Sequence, residues 1–316
     1  MLENLSAPEA LMIKSFPDLY YEYRYRKNGL SFLVGKLKES LKPSVGILLS
    51  QFNQIDPPID VFAISNIGKA AIEIAYKNKA QIGSEAIIEP ISKGFLISVE
   101  EKLNLGPKRR RLRSTIAHEL AHTFFYDTSF LPPKRLGQNT SEKMYRVEED
   151  ICRSLVREFL MPTKSLSPLL NNNHNLYTAS SKTFAFLSDL YAASSDIVAY
   201  KLIKDLKLWD IIFIKWSVAD GLFQSRTQIK SMSRIYKHIT IARKFPEDSE
   251  GNEFLLEHLR RSKDLEVRKE SIIESILINN YPVKIETFRD TVTQYISIIQ
   301  SDSQTVSQRT EQKPPP

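Results

Sequence analysis

With 316 residues, 42% of them hydrophobic and including 16 Phe and 13 Tyr, the chain has ample apolar material for a full core and for two domains. No apolar run approaches the roughly 20 residues that span a bilayer, and the opening MLENLSAPEA lacks the basic-then-apolar pattern of a secretion signal, so a cytoplasmic protein with no membrane association is expected. The single cysteine, Cys152, excludes an internal disulfide framework and thiolate clusters as metal ligands, while a net charge of +7 permits contact with nucleic acid without requiring it.

Residues 1–55 carry the aromatic and basic cluster DLYYEYRYRKNG and then LSFLVGKLKESL, whose apolar spacing predicts a helix. They read as an N-terminal helical, aromatic extension without a chemical motif. Pro57-Pro58 punctuates the chain, and residues 56–206 form the domain of interest, opening with IDVFAISNIGKAAIEIAY, a helix followed by a short strand. GFLISVEEKL alternates like a strand and Gly106-Pro107 breaks it. From Arg111 to Tyr126, Ile116, Leu120, Thr123 and Phe124 recur at a helical period. The Pro- and Gly-rich segment SFLPPKRLGQNTSEK, residues 129–143, predicts a loop. A strong helix follows, with Ile151, Leu155, Val156, Phe159 and Leu160 on one side, and Pro162 stops it.

Residues 183–206 read as two short helices around Ala192 to Ser194. Residues 207–300 form a C-terminal domain of mixed α/β signals, in which WDIIFIKWSVADGLFQ is a hairpin turning at Asp220-Gly221. The polar tail, residues 301–316, is expected to be disordered.

The chemistry is concentrated in RSTIAHELAHTFFYD, which places His118 and His122 four apart with Glu119 after the first. Positions four apart on a helix differ by about 40° around the axis and lie one turn apart, so both imidazoles can converge on one ion. Catalytic zinc sites keep three protein ligands and leave a fourth position for water, which Glu119 can reach as general base. The plain alternative is a helix with two surface histidines. A third ligand must come from elsewhere, and no histidine stands at the short downstream spacing of the three-histidine subclass. RVEEDICRSLVREFLMP offers Glu148, Glu149 and Asp150, and a carboxylate from it would give a His2Glu site. These acids also suit the positive end of a helix dipole, and helix phase does not choose between Glu148 and Glu149.

Taken together, IDVFAISNIG, GFLISV, RLRSTIAHELAHTFFYD and EDICRSLVREFLMP, in that order, resemble the ImmA/IrrE family of metallopeptidases over about residues 57–206. The resemblance implies an α+β fold: a small zincin-like metallopeptidase domain with the active-site helix on a short sheet, followed by the helix-turn-helix-like segment. It places the family's ligand carboxylate on Glu149 and its alanine on Cys152. It also implies Zn2+ as cofactor, with Mn2+ as an alternative, and a regulatory protein substrate, a helix-turn-helix repressor or an antitoxin. Ala121 stands where the family has Gly, Ser114 where it has Phe, and Tyr126 where it often has an additional His. Tyr126, Tyr145 and His174 are the candidates for stabilising the transition state.

The run KRRRLR, residues 108–113, precedes the active-site helix, where the dipole disfavours positive charge; Arg111 and Arg113 fall within the family match and read as structural or substrate-facing. In the helix-turn-helix-like segment, Asp196, Tyr200 and Lys201 are a poor set for reading base edges, which favours structural use. Cys152 reads as small packing rather than a nucleophile. The rival to a peptidase is a DNA-binding or scaffold regulator with a structural metal site.

Overall fold

The computed structural model of the chain describes residues 5–26, 28–105, 108–138, 141–219, 222–233, 236, 241, 244–246, 253–278 and 281–301. The fold is mixed α+β, and the chain divides into two compact units: residues up to Pro168 with Leu190–Ala193, and Leu169–Asp189 with the chain from Ser194 on. No helix among the described residues is long and apolar enough to cross a membrane.

The first unit begins with α1 (Ala7–Ser15), α2 (Pro17–Arg24) and α3 (Gly29–Gln51). Glu9 reaches back to accept from the Ser6 N–H at 3.0 Å, closing a capping box at the start of α1. Along α3, Leu33, Leu37, Leu41, Val45 and Leu48 recur at three and four and are buried, and the helix continues through Pro43.

The helix expected in IDVFAISNIG is a single 3-10 turn, Val61–Ala63, whose Asp60 carboxylate accepts from the Phe62 N–H. Asn66 already begins a strand, which leaves no room for more. β1 (Asn66–Ile67), β2 (Ala70–Lys77), β3 (Ala86–Ile91) and β4 (Gly94–Glu100), with α4 (Lys79–Ile82) between β2 and β3, form a sheet of order β1-β2-β4-β3. β4 runs parallel to β2 and antiparallel to β3. Gly94 begins β4 at φ +154°, where a Cβ would stand 2.1 Å from the Ala71 carbonyl oxygen, so no other residue fits that approach.

α5 (Arg109–His122) packs on β3 and β4, above the fully buried Phe95, Ile97 and Val99 of the central strand. A 3-10 turn, Thr123–Phe125, leads into β5 (Tyr126–Asp127), which pairs with β6 (Lys134–Arg135). The segment expected as a loop through residues 129–143 therefore contains a strand and the first turn of α6 (Glu142–Leu160). Its ladder is only two residues long, Tyr126↔Arg135 and Asp127↔Lys134, too short to leave an alternating pattern. α6 buries Ile151, Cys152, Leu155, Phe159 and Leu160 and packs against both α5 and α3. A Lys38–Asp150 ion pair at 2.7 Å also links α3 to α6, so the residues before 55 share a core with α6. After Pro162, α7 (Thr163–Asn172) starts with Thr163 N and Oγ1 donating to Glu158 at 2.7 and 2.9 Å.

The second unit contains α8 (Ser181–Leu190), α9 (Ser195–Tyr200) running into a π-helical turn, Lys201–Asp205, then β7 (Ile211–Ala219), β8 (Leu222–Lys230), β9 (Lys244–Pro246), α10 (Glu253–Arg261), β10 (Ser271–Ile278), β11 (Tyr281–Thr291) and β12 (Gln294–Ser301). The six strands form one antiparallel sheet of order β10-β11-β12-β7-β8-β9. Phe184 of α8 meets Trp209, Phe213 and Phe288 at 4.8, 5.2 and 6.3 Å between ring centres. Alternate residues Ile212 and Ile214 join Leu255, Leu256 and Leu259 of α10 on the opposite face. This division cuts across the expected boundary at residue 206, because the aromatic contacts of α8 are made with the C-terminal sheet. The expected break at Gly106-Pro107, the turn at Asp220-Gly221 and the tail after Ser301 lie outside the described residues.

Candidate metal centre

α5 and α6 lie side by side, and the facing sides carry the polar residues of interest. His118 and His122, one turn apart on α5, approach Nε2 to Nε2 at 3.2 Å. Glu149 on α6 places Oε2 3.3 Å from His118 Nε2 and Oε1 3.2 Å from His122 Nε2. The three residues thus each offer one donor atom, all within 4.8 Å of one another. Their side chains are 24%, 11% and 15% exposed, so the cluster opens to solvent on the His118 side.

The donor set fits a divalent metal. Ligand atoms about 2.0–2.1 Å from a tetrahedral ion are separated by about 3.3 Å along the edges; the two imidazole nitrogens stand 3.2 Å apart, and each lies 3.2–3.3 Å from a different oxygen of Glu149, so the carboxylate faces both. Two imidazole nitrogens and a carboxylate make a borderline donor set that suits zinc.

Glu148, next to Glu149, faces the other nitrogen of His122. Its Oε1 accepts from His122 Nδ1 at 2.9 Å, and its Oε2 takes a 2.6 Å hydrogen bond from Arg135 Nη2. A carboxylate can only accept here, so Nδ1 carries a proton, and a metal at the cluster would take the place of the second ring proton on Nε2. The structure therefore separates the two acids, with Glu149 in the donor triad and Glu148 behind it. Arg135 reaches Glu148 because β6 folds back onto β5, and its guanidinium stacks over Tyr126 at 5.5 Å.

Burial opposes a charge on His122, but hydrogen bonds to Cys152, Glu148 and Glu149 outweigh it and hold the ring's pKa well above the usual histidine range. The surroundings that favour a proton there also favour a metal cation. Hydrogen bonds from His118 and His122 hold the Glu149 carboxyl well below the usual range despite its burial. Burial pushes the Cys152 thiol up to about 11, so at neutral pH it is an uncharged packing group against His122.

Glu119 is buried on the α5 face that meets the sheet, and the Ile88 N–H of edge strand β3 donates to its carboxylate. Burial raises its pKa, against the lowering effect of His122 and His118. Such a carboxyl is a stronger base than an exposed glutamate.

The three candidates for transition-state stabiliser separate. Tyr145, one turn before Glu149 on α6, hydrogen-bonds the Glu149 carboxylate, and burial with the Glu149 charge raises its pKa. Tyr126 is engaged by Phe95, ring centre to ring centre at 5.2 Å, and by Arg135. His174 is exposed in the second unit and stacks on Tyr177.

The two arginines also differ. Arg113 is buried; Nη1 donates to the Tyr191 and Ala192 carbonyls at 3.0 and 2.5 Å and Nη2 to the Ile59 carbonyl. It ties α5 to two distant segments of its own unit. Arg111 is exposed and holds Glu85, just before β3, through Nε at 2.9 Å and Nη2 at 2.7 Å. Of the helix-turn-helix-like residues, Asp196 Oδ2 pairs with Lys215 Nζ of β7 at 2.8 Å, Ser195 Oγ donates to Asp290 at 2.9 Å, and Ile197, Val198 and Ala199 are buried.

Compared with protein-family models and with the curated proteins, the chain has no significant match.

Proposed function

We propose that the chain is a cytoplasmic metal-dependent endopeptidase of the zincin type, with His118, His122 and Glu149 as metal ligands and Glu119 as general base. The observation that carries this reading is the convergence of His118, His122 and Glu149 from two helices, with one donor atom of each within 4.8 Å of the others, and with the buried Glu119 directly after the first histidine. The likeness of RLRSTIAHELAHTFFYD and EDICRSLVREFLMP to the ImmA/IrrE motifs supports it independently.

A divalent ion bound there, zinc or alternatively manganese, supplies Lewis-acid chemistry that polarises a carbonyl and acidifies water. The protein's own groups do the rest. Glu148 fixes the proton of His122 on Nδ1, leaving Nε2 free to ligate. Glu119 accepts a proton at its carboxylate, where burial favours the protonated form, and returns it to the leaving amine. β3, whose Ile88 N–H holds Glu119, is the sheet edge beside this group, and an extended peptide can pair along it. Tyr145 is the phenol placed to donate to developing negative charge. The substrate class that the resemblance implies is a regulatory protein, a helix-turn-helix repressor or an antitoxin.

The rival, a DNA-binding or scaffold regulator with a structural metal, gains nothing from α9, whose Asp196 is tied to Lys215. Metal analysis and cleavage of a candidate repressor, with and without chelator, test the reading. Glu149→Ala should lose the metal, and Glu119→Gln should keep it while losing cleavage. Metal content unchanged in Glu149→Ala, or cleavage surviving in Glu119→Gln, would overturn the assignment.

A further inference from the structure

Strand β10, SIIESILI, forms one edge of the six-stranded sheet and pairs with β11 along its whole length, from Ser271↔Phe288 to Ile278↔Tyr281. Among the described residues no strand pairs with its outer edge. The opposite edge, β9, is three residues long and carries Lys244 and Pro246, devices that discourage pairing. β10 shares neither its shortness nor its Lys and Pro, and its one inward-pointing charge, Glu274, is neutralised by Arg261 of α10. It is eight residues without Lys, Arg, Pro or Gly, and its ladder with β11 shows no bulge. An apolar edge of this kind is a template for another strand.

The single charge on β10 is Glu274, and it is already engaged on its own subunit. His258 Nε2 lies 2.7 Å from one of its oxygens and Arg261 of α10 holds the other. Glu274 and Ile276 therefore face α10 and the core cluster, whereas Ile273, 51% exposed, and the exposed Ser275 face the other side.

This alternation restricts how two copies can pair. A twofold axis normal to the sheet pairs residues of the same face, so the axis must pass through one residue and its own counterpart. Centred on Glu274, the register sets two carboxylates opposite each other, which is destabilising. Centred on Ser275, it pairs residues 272–278 with no like charges opposed. Ile273 of one copy then stands opposite Leu277 of the other, and Glu274 opposite Ile276. Registers centred further along the strand pair fewer residues.

We propose that β10 is a homodimerisation edge: two copies of this chain join antiparallel through β10 with Ser275 on the twofold axis, making one continuous sheet of both C-terminal units. The occupant is a second copy because the strand complements itself in this register and offers no charge by which another partner would be selected.

Sedimentation of the full chain at micromolar concentration tests this. The wild type should be a dimer. Ser275→Lys, an exposed position where the change should leave the circular dichroism spectrum intact, sets two ammonium groups face to face and should raise the dimer dissociation constant by about 5-fold. Ser275→Cys should form an intermolecular disulfide under mild oxidation, because directly opposed residues have Cα atoms about 4.5–5.5 Å apart, within disulfide range. A wild type that sediments as a monomer overturns the proposal. So does a dimer that neither weakens with Ser275→Lys nor crosslinks through Ser275→Cys, since such a dimer uses another surface.

Discussion

Glu148 holds His122 Nδ1 at 2.9 Å with one oxygen and Arg135 Nη2 at 2.6 Å with the other, so a residue adjacent to the triad carboxylate determines which imidazole nitrogen offers a lone pair. The relay is buried at its centre, with Glu148 only 3% exposed in its side chain. Gly137, at φ +67°, lets the segment after β6 pass against Leu5 and Ser6, just before α1, where a Cβ would meet the Leu5 carbonyl oxygen at 2.4 Å. This close passage anchors the strand that carries Arg135.

Removing the relay should weaken metal binding without touching a ligand. Loss of an outer partner of a ligating histidine typically costs about 10- to 100-fold in metal affinity. Glu148→Gln and Arg135→Ala are each expected to show a loss of that order in competition with a chromophoric chelator, and the double variant should lose little more than the worse single one. Fully additive losses would mean that the two residues do not act through one chain of hydrogen bonds.

The sequence made part of this site legible and hid the rest for definable reasons. His118, Glu119 and His122 are local: a four-residue spacing on one helix suffices to bring the imidazoles together. Glu149 is separated from Glu148 by tertiary structure, since both lie near the same arc of α6 and only the approach of β6 assigns Glu148 to the rear of His122. Arg135 left no signal beyond being a cation in a Pro- and Gly-rich segment, and its strand is two residues long. The two short helices at 183–206 were readable from their periodicity, but their commitment to the C-terminal sheet depends on Phe184, Trp209, Phe213 and Phe288 meeting across a long sequence separation. Likewise the order β10-β11-β12-β7-β8-β9 turns on β12 pairing with β7, a contact that no local pattern encodes.

Tyr145 allows its two conceivable roles to be told apart. Its hydroxyl contacts Glu149, so it either donates to the reacting carbonyl oxygen or merely orients the ligand carboxylate. As an oxyanion donor, its loss in Tyr145→Phe should lower kcat by about 100-fold, the scale seen for such donors, while KM and metal content stay near wild type. An orienting role would instead appear as weakened metal affinity, with kcat of the metal-saturated protein restored. The kinetic split on a cleavable repressor, measured at saturating metal, decides between them.

The attachment of α1 to the hairpin that carries Arg135 should depend on pH. Lys14 Nζ lies 2.6 Å from Asp127 Oδ2, and Ser129 donates to Oδ1 through its N–H at 3.1 Å and its hydroxyl at 2.6 Å. The Lys14 hydrogen bond, then that of the Ser129 hydroxyl, lowers the Asp127 pKa to about 2. Unfolded, the same carboxyl titrates near ~3.9. A carboxyl depressed in the folded state stabilises the fold above its unfolded pKa, and that contribution is lost as pH falls from there through the folded value. Asp127→Asn should therefore melt at a lower temperature than wild type at pH 7, and the difference should close between about pH 4 and pH 2. Because the pair is partly exposed, high salt should shrink the pH 7 difference as well. A gap unaffected by acid would mean that the Asp127 carboxylate contributes packing rather than charge.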